Sequence, residues 1–300
     1  MYHSSVLFKN IIDNLNIEEG KVYVDATLGG GSITLGIANK LQRGTVIGFD
    51  VDINAIGNFY TKGLQLINPL HFKLKDVDIY LVNANFRKIA SELAKIGINE
   101  IDGIVYDLGV SSFQIDNPNM GFSYIKDSPI DMRMDKDLKV TAQDLLMAMY
   151  KHELEDIFSK YSDEPFAHTI ALNIVKERKK KRIQSSLQLV EIVKMSIKNQ
   201  TYLYRHVARV FQALRIAVND ELGALNDSLL QLPTLIAYGG RVAIVTFHSV
   251  EDRKVKSFFK ENTDKFKSLY KNVIYPSDVE INENIRSRSA KLRIYEKYEK

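Results

Sequence analysis

Between Lys21 and Asp107, short apolar runs alternate with longer amphipathic stretches. Lys21-Val22-Tyr23-Val24-Asp25 predicts a strand closed by an acid, followed by a glycine-rich turn and a helix from about Ile33 to Leu41. Thr45-Val46-Ile47-Gly48-Phe49-Asp50 predicts a second strand, again closed by an acid, with a helix over about Asn54 to Leu66. Ile79-Tyr80-Leu81-Val82 predicts a third strand, Phe86 to Ile96 a third helix, and Asp102-Gly103-Ile104-Val105-Tyr106-Asp107 a fourth strand. Short strands alternating with helices in this way form βαβ units, which require a parallel sheet. A fifth strand follows only at Gly240-Arg241-Val242-Ala243-Ile244-Val245-Thr246-Phe247, and Ala290 to Tyr295 predicts a final one.

About 130 residues separate the fourth and fifth strands, far more than a crossover needs. Their pattern is helical. Thr141-Ala142-Gln143-Asp144 has the form of a capping box opening a helix over Leu145 to Met149, and Ser185-Ser186-Leu187-Gln188 opens another that runs to about Ile197. The expected fold class is therefore α/β with an inserted helical subdomain. Residues 115–208 form the insert, and 1–114 with 209–300 form the sheet domain. A helix over Val210 to Leu230 is expected to return the chain to the sheet, because Phe211, Leu214, Val218, Leu222, Leu225 and Leu229 recur at steps of three and four. Gln212, Arg215 and Asn219 lie beside that apolar face, as the lining of a cleft or as a plain surface stripe.

Composition narrows the function classes. The chain has 300 residues, 45% hydrophobic and 26% charged, ordinary values for a globular protein with a sizeable core. No apolar run reaches the roughly 18 residues of a membrane span, and the N-terminus lacks the pattern of a signal peptide, so a cytoplasmic protein away from membranes is expected. The lack of cysteine removes disulfides, thiolate zinc sites and cysteine nucleophiles. The six histidines (3, 71, 152, 168, 206 and 248) show no close ligand spacing, so no metal site is expected. A net charge of +4 says little by itself, but Lys176-Glu177-Arg178-Lys179-Lys180-Lys181-Arg182 packs six cations into seven residues. Arg286, Arg288, Lys291 and Arg293 crowd the C-terminus. A solvated helix end and a phosphate-binding surface both fit the run.

Five segments carry candidate chemistry. In Asp25-Ala26-Thr27-Leu28-Gly29-Gly30-Gly31-Ser32, the glycines after the first strand let the backbone approach a ligand closely. Asp50, at the end of the second strand, is placed to bind ribose hydroxyls. The turn lacks the full G-x-G-x-x-G fingerprint, since Thr34 stands where its last glycine would be, and an acid ending the first strand suits a sulfonium ligand better than a diphosphate. The glycine turn and Asp50 fit a dinucleotide or S-adenosylmethionine equally; in a methyltransferase-like sheet, the end of the fourth strand at Asp107-Leu108-Gly109-Val110-Ser111-Ser112-Phe113-Gln114 is where acceptor and methyl group would meet. Asp107 could hold the N–H of an exocyclic amine and turn its lone pair toward the methyl. Met120-Gly121-Phe122-Ser123-Tyr124 with Asp131-Met132-Arg133-Met134-Asp135 is either a salt-bridged structural loop or a pocket rim. In that rim Phe122 or Tyr124 would stack a base, and Arg133 would pair with phosphate or carboxylate. His248, in Thr246-Phe247-His248-Ser249-Val250-Glu251-Asp252-Arg253, ends the fifth strand at the same edge. Asp107, Asp131 and His248 are the catalytic candidates.

These segments, in this order, resemble the MraW-type ribosomal RNA cytosine-N4 methyltransferases over nearly the whole chain. The resemblance is strongest in Asp107 to Asp116, in Gly121-Phe122-Ser123 with Asp131 to Asp135, in Phe211 to Leu222, and in Phe247 to Arg253. It also extends over His3-x-x-Val6-Leu7 and Arg286 to Arg293. It implies a Rossmann-like class I methyltransferase sheet with an inserted helical RNA-recognition domain. The implied reaction is methyl transfer from S-adenosyl-L-methionine to N4 of a cytidine in the decoding region of 16S rRNA. The implied partner is that RNA, within the small ribosomal subunit, with a homodimer also compatible. Cofactor positions carry over to Gly31, Ser32, Ile33, Asp50, Phe86, Asp107 and Gln114, and the glycine turn adds Gly29. The chain departs from the family where Gly31-Ser32-Ile33 replaces glycine-glycine-histidine, where Met120 replaces arginine, and at His206-Val207-Ala208. The loop before the C-terminal arginines is also shortened.

Three other functions compete. A methyltransferase for a small molecule or protein would share the sheet motifs but needs no cationic insert. A nicotinamide-dependent reductase would need the glycine fingerprint that is incomplete here. A non-catalytic RNA-binding protein would fit the departures at Ser32 and Ile33.

Overall fold

The computed structural model describes residues 5–299, with Ser112 described by its backbone alone. The chain forms two compact units, one from the segments up to Gly109 and from Leu222 onward, the other from Val110–Glu221. Among the described residues the first unit contains β1 (Val22–Asp25), β2 (Arg43–Asp50), β3 (Gln65–Asn68), β4 (His71–Leu74), β5 (Asp76–Asn83), β6 (Ile101–Asp107), β7 (Ile236–Thr246), β8 (Phe266–Ser268) and β9 (Lys291–Lys297). They form one sheet in the order β3-β4-β5-β2-β1-β6-β7-β9-β8.

The five central strands, β5 to β7 in that order, run parallel. The flanking strands pair antiparallel. A parallel sheet is buried on both faces, so its strands read as continuous apolar runs. Val24, Val46, Ile47, Ile104, Val105, Val242 and Ile244 are all fully buried. Alternation along each strand splits them between two layers. Val46, Val105 and Val245 pack with Leu28, Ile33 and Ile37, while Val24, Ile47, Ile104 and Ile244 pack with Leu225, Leu229 and Val255. The result is a doubly wound, Rossmann-like α/β sheet. Its strand order reverses between β1 and β6, which leaves a crevice at their carboxyl ends.

The helix expected over Asn54 to Leu66 stops early. It spans Ile53–Phe59, a 3-10 turn follows, and Gly63 adopts φ +70°, a left-handed conformation that ends helical winding. Leu66 then lies in the β3–β4 hairpin, which extends the sheet beside β5.

The second unit is helical. Helices Ala142–Ala148, Lys151–Ser162, Ala167–Arg178, Ser186–Ser196 and Leu203–Asn219 surround a core that includes Leu146, Phe158, Ile170, Leu189, Val207, Val210 and Leu214. Both expected capping boxes form, Thr141 with Asp144 and Ser185 with Gln188. The helix expected to run unbroken from Val210 to Leu230 is two helices. The first ends at Asp220, whose φ of +48° breaks the winding, and Glu221–Leu229 begins a new one. Val207, Val210 and Leu214 bury in the helical core, whereas Leu225 and Leu229 bury in the sheet unit. The insert therefore spans 110–221 rather than 115–208. Among the described residues no helix is long and apolar enough to cross a membrane.

Candidate active site

Three acidic residues end three neighbouring strands of the sheet unit: Asp50 on β2, Asp25 on β1 and Asp107 on β6. Asp25 builds the turn. Its Oδ1 accepts the Thr27 N–H (3.2 Å), and its Oδ2 accepts the Thr34 N–H (3.1 Å) and hydroxyl (2.8 Å). With no exposed surface, Asp25 shapes the glycine loop and does not face a sulfonium as its position in sequence suggested. Burial pushes its carboxyl up to about 6 against the hydrogen bonds from Thr34 and Thr27.

Asp50 ties the same loop from the other side, where its Oδ2 accepts the Gly29 N–H (2.9 Å) and its Oδ1 the Asp52 N–H (2.8 Å). The Asn83 amide donates to its backbone carbonyl (2.9 Å). Burial raises this carboxyl to about 7 against those two backbone bonds. Gly31 then caps the helix Ser32–Lys40 at φ +76°, and a Cβ there would lie 2.8 Å from the Phe59 ring. Only glycine fits. The N–H groups of Ser32 and Ile33 lie in the first turn of that helix, where they have no acceptor within it and suit polar ligand atoms. The Ile33 side chain, 1% exposed, belongs to the core, so this position offers its backbone alone.

Asp107 differs from the other two. Its N–H donates to the Thr27 hydroxyl (2.7 Å), which locks the end of β6 to the loop after β1. The residue keeps some exposed surface, yet Oδ1 is buried and has no hydrogen-bond partner. Burial, then the charge of Asp25, and then that of Glu251, push the carboxyl up to about 7. A buried acceptor without a donor has a large desolvation cost, and such groups cluster at functional sites.

The other candidates in this unit have defined tasks. Phe86 opens the turn after β5 and packs edge-on against Tyr106 with ring centres 5.7 Å apart. His248 caps the helix Ser249–Glu261, its Nδ1 accepting the Glu251 N–H (3.2 Å). Its Nε2 lies 3.0 Å from Glu251 Oε1 without hydrogen-bond alignment. Glu251 Oε2 accepts the N–H groups of Phe247 (2.9 Å) and His248 (3.3 Å). His248 and Glu251 together hold the end of β7.

Asp131 and Gln114 fall in the helical unit. Asp131 is paired bidentately with Arg133, Oδ1 to Nε at 2.7 Å and Oδ2 to Nη2 at 2.9 Å. Burial alone would raise its carboxyl, but the Arg133 bonds and charge hold it below the usual range. Arg133 also donates to the Leu138 carbonyl (2.7 Å), so the salt-bridged structural loop accounts for this motif. Gly121, at φ +73°, makes the fit possible, since a Cβ there would lie 2.2 Å from the Pro129 carbonyl oxygen. Gln114 completes a capping box with Ser111. The polar stripe is structural too. Gln212 donates to the Tyr161 carbonyl (2.8 Å), Arg215 grips Glu221 with two bonds, and Asn219 bridges Met132 and Met134. In the cation run Arg178 is used internally, donating to the Leu146 carbonyl (2.7 Å), while Lys179, Lys180, Lys181 and Arg182 are exposed. Of the C-terminal cations, Arg293 is paired with Asp252.

The tasks of Thr27, Thr34 and Glu251 were not read from the sequence, because a lone hydroxyl or acid has no periodic signature. Only Asp50-x-Asp52, a short acid pair able to bond its own backbone, carried a local signal.

Residues 1–298 match the model of the MraW methylase family. A ribosomal RNA small subunit methyltransferase H 1 from Acholeplasma laidlawii is 41% identical over 312 residues, covering 99% of both chains. Among solved structures, an rRNA methylase from Streptococcus thermophilus is 12% identical, with 97% of this chain and 94% of that one covered at a TM-score of 0.43. A protein from Streptococcus mutans in complex with SAH is 13% identical, with 96% of each chain covered at a TM-score of 0.44.

Proposed function

The chain belongs to the MraW methylase family, and on that premise we propose that it methylates 16S ribosomal RNA, transferring a methyl group from S-adenosylmethionine to the exocyclic N4 of a cytidine in the decoding region. The observation that carries this reading is the buried, unpartnered Oδ1 of Asp107 at the carboxyl end of β6. Bound S-adenosylmethionine supplies a methyl group on a sulfonium, a good leaving group. The residues present fit it. Asp50 retains lone pairs for ribose hydroxyls, the N–H groups of Ser32 and Ile33 line the glycine turn, and Phe86 offers an apolar ring at the neighbouring strand end. Gln114 is assigned to the cofactor set by the family resemblance alone.

Asp107 orients the acceptor. An exocyclic amine delocalises its lone pair into the ring, so it attacks only when its N–H groups are held away from the incoming methyl. Asp107 Oδ1 accepts one N–H, stabilises the positive charge that grows on nitrogen, and takes the proton as the new bond forms. Thr27 fixes the backbone of Asp107, and Asp25 fixes the turn that carries Thr27. His248 and Asp131 keep their places beside Glu251 and Arg133 and act as positioning groups. The helical unit holds the RNA, with Lys179, Lys180, Lys181 and Arg182 against phosphates. The setting is the cytoplasm, on the small subunit.

Incubating labelled S-adenosylmethionine with small subunits, followed by nucleoside analysis, tests the reading. Label in N4-methylcytidine is expected. Label in another nucleoside, or in protein alone, overturns it.

A further inference from the structure

We propose that Asp107 and His248 together read the edge of the target base, Asp107 Oδ1 accepting an N–H of the exocyclic amine and His248 Nε2–H donating to the ring nitrogen beside it. The pair rests on the role given to Asp107 above, and His248 becomes a specificity-determining residue as well as a helix cap. Among the described residues, Asp107 Oδ1 and His248 Nε2 are both buried without a hydrogen-bond partner. The His248 side chain is 10% exposed. Each orphaned atom has a desolvation cost. The two would offset it by bonding each other, and they do not. A molecule that carries a donor beside an acceptor satisfies both.

Hydrogen bonding fixes the tautomer of His248. Its Nδ1 accepts the Glu251 N–H at 3.2 Å. A backbone N–H only donates, so Nδ1 presents a bare lone pair and the ring proton is on Nε2. Glu251 Oε1 lies 3.0 Å from Nε2 but out of line for a hydrogen bond, and Glu251 Oε2 is taken by the N–H groups of Phe247 and His248. The two orphaned atoms belong to neighbouring strand ends. Asp107 on β6 is in register with Val245 on β7, and the Leu108 N–H donates to the Val245 carbonyl at 3.1 Å. Beyond the strands the two segments stay close, since a Cβ on Gly109 would lie 3.7 Å from the Phe247 ring. The charge of Glu251 acts on Asp107, which puts the His248 cap in the same neighbourhood.

Cytosine presents the complement of this pair. Its N4 amine donates, and N3 beside it accepts. Uracil presents the reverse, a carbonyl beside an N–H, and would set acceptor against acceptor and donor against donor. An uncharged imidazole suits the reaction. A full cation at N3 would draw the amine lone pair further into the ring and slow its attack, whereas a neutral N–H orients the base at a smaller cost to nucleophilicity. The bond to N3 is made in the ground state and the transition state alike, so it acts on binding more than on the chemical step.

Small subunits reassembled on 16S RNA with 3-deazacytidine at the target position, where C–H replaces N3, test the pair against unmodified subunits. His248→Asn keeps the helix cap, since Asn is a favoured cap residue, and removes the Nε2 donor. On cytidine the variant is expected to raise KM about tenfold with a smaller effect on kcat. On 3-deazacytidine the variant and the wild type are expected to show the same KM, and comparing them on each substrate separately cancels the analogue's own reactivity. An equal loss on both substrates overturns the proposal, because a purely structural cap would weaken both alike. If His248→Asn does not fold, His248→Ser, another cap residue, takes its place. Nitrogen NMR of the histidine rings in the full chain, without cofactor or RNA, is expected to show the His248 proton on Nε2, and a proton on Nδ1 overturns the proposal. A wild-type protein that transfers no methyl group to unmodified subunits refutes the proposed function and the pair with it, whereas normal transfer with an equal loss on both substrates refutes the pair alone.

Discussion

Asp107→Asn separates the chemistry of this site from its stability. The carboxyl is raised from an ordinary 3.8 to about 7, chiefly by burial. Between those values the unfolded chain has released its proton while the folded chain keeps it. The contribution of this group to stability is therefore fully present below pH 4 and is lost as the pH rises through 7. A shift of about three pH units, at roughly 1.36 kcal/mol each, bounds the loss at about 4 kcal/mol. The side chain keeps some contact with solvent, which reduces this to about 2 kcal/mol. Asparagine preserves the shape and removes the charge. Urea unfolding of both proteins at pH 5 and pH 8 should show the variant gaining about 1–2 kcal/mol on the wild type over that interval. Single-turnover methylation at saturating cofactor should fall about 100-fold in the same variant, the scale of one electrostatic contact to the transition state. Greater stability with lower activity is the signature of a group kept for chemistry. A stability gap that does not change with pH, or a variant less stable at pH 8, would refute the reasoning and show that Asp107 is held as a structural ion.

Gly31→Ala combines a left-handed backbone with a Cβ placed 2.8 Å from the Phe59 ring, so denaturant unfolding should show a loss of about 2–4 kcal/mol. A loss under about 1 kcal/mol would mean that the turn relaxes easily. Asp50→Ala should weaken S-adenosylmethionine binding by roughly 1–3 kcal/mol in calorimetry, through lost ribose contacts and a loosened Gly29; unchanged affinity removes Asp50 from the site. Replacing Lys179, Lys180 and Lys181 by glutamine should flatten the salt dependence of RNA binding by up to about one unit of slope per lost phosphate contact and leave cofactor binding intact. An unaltered slope leaves these lysines as a solvated helix end.

The places of three acids were legible because chain order sets them. Asp25, Asp50 and Asp107 each close an apolar run, and in a parallel sheet such positions all fall at one edge. Gly29 and Gly31 announced a turn, and both adopt positive φ. The motif around Asp131 and Arg133 was visible as a motif, but its use was not. Two residues apart in sequence, they could pair with each other or with a ligand, and only the observed bidentate geometry decides for each other.

Sequence alone determined what depends on local or periodic forces. The parallel strands follow from unbroken apolar runs, the capping boxes from residues three apart, and the insert from the length of chain between two strands. Tertiary structure decided whatever rests on contacts between distant segments. Asp107 meets Thr27, and Ser5 meets Ser32, through a fold that brings together positions far apart in the chain. The break at Asp220 has the same origin, because apolar residues on either side of it at helical spacing bury in two different cores. Periodicity records that a residue is buried, and the partner it is buried against is set only when the chain has closed on itself.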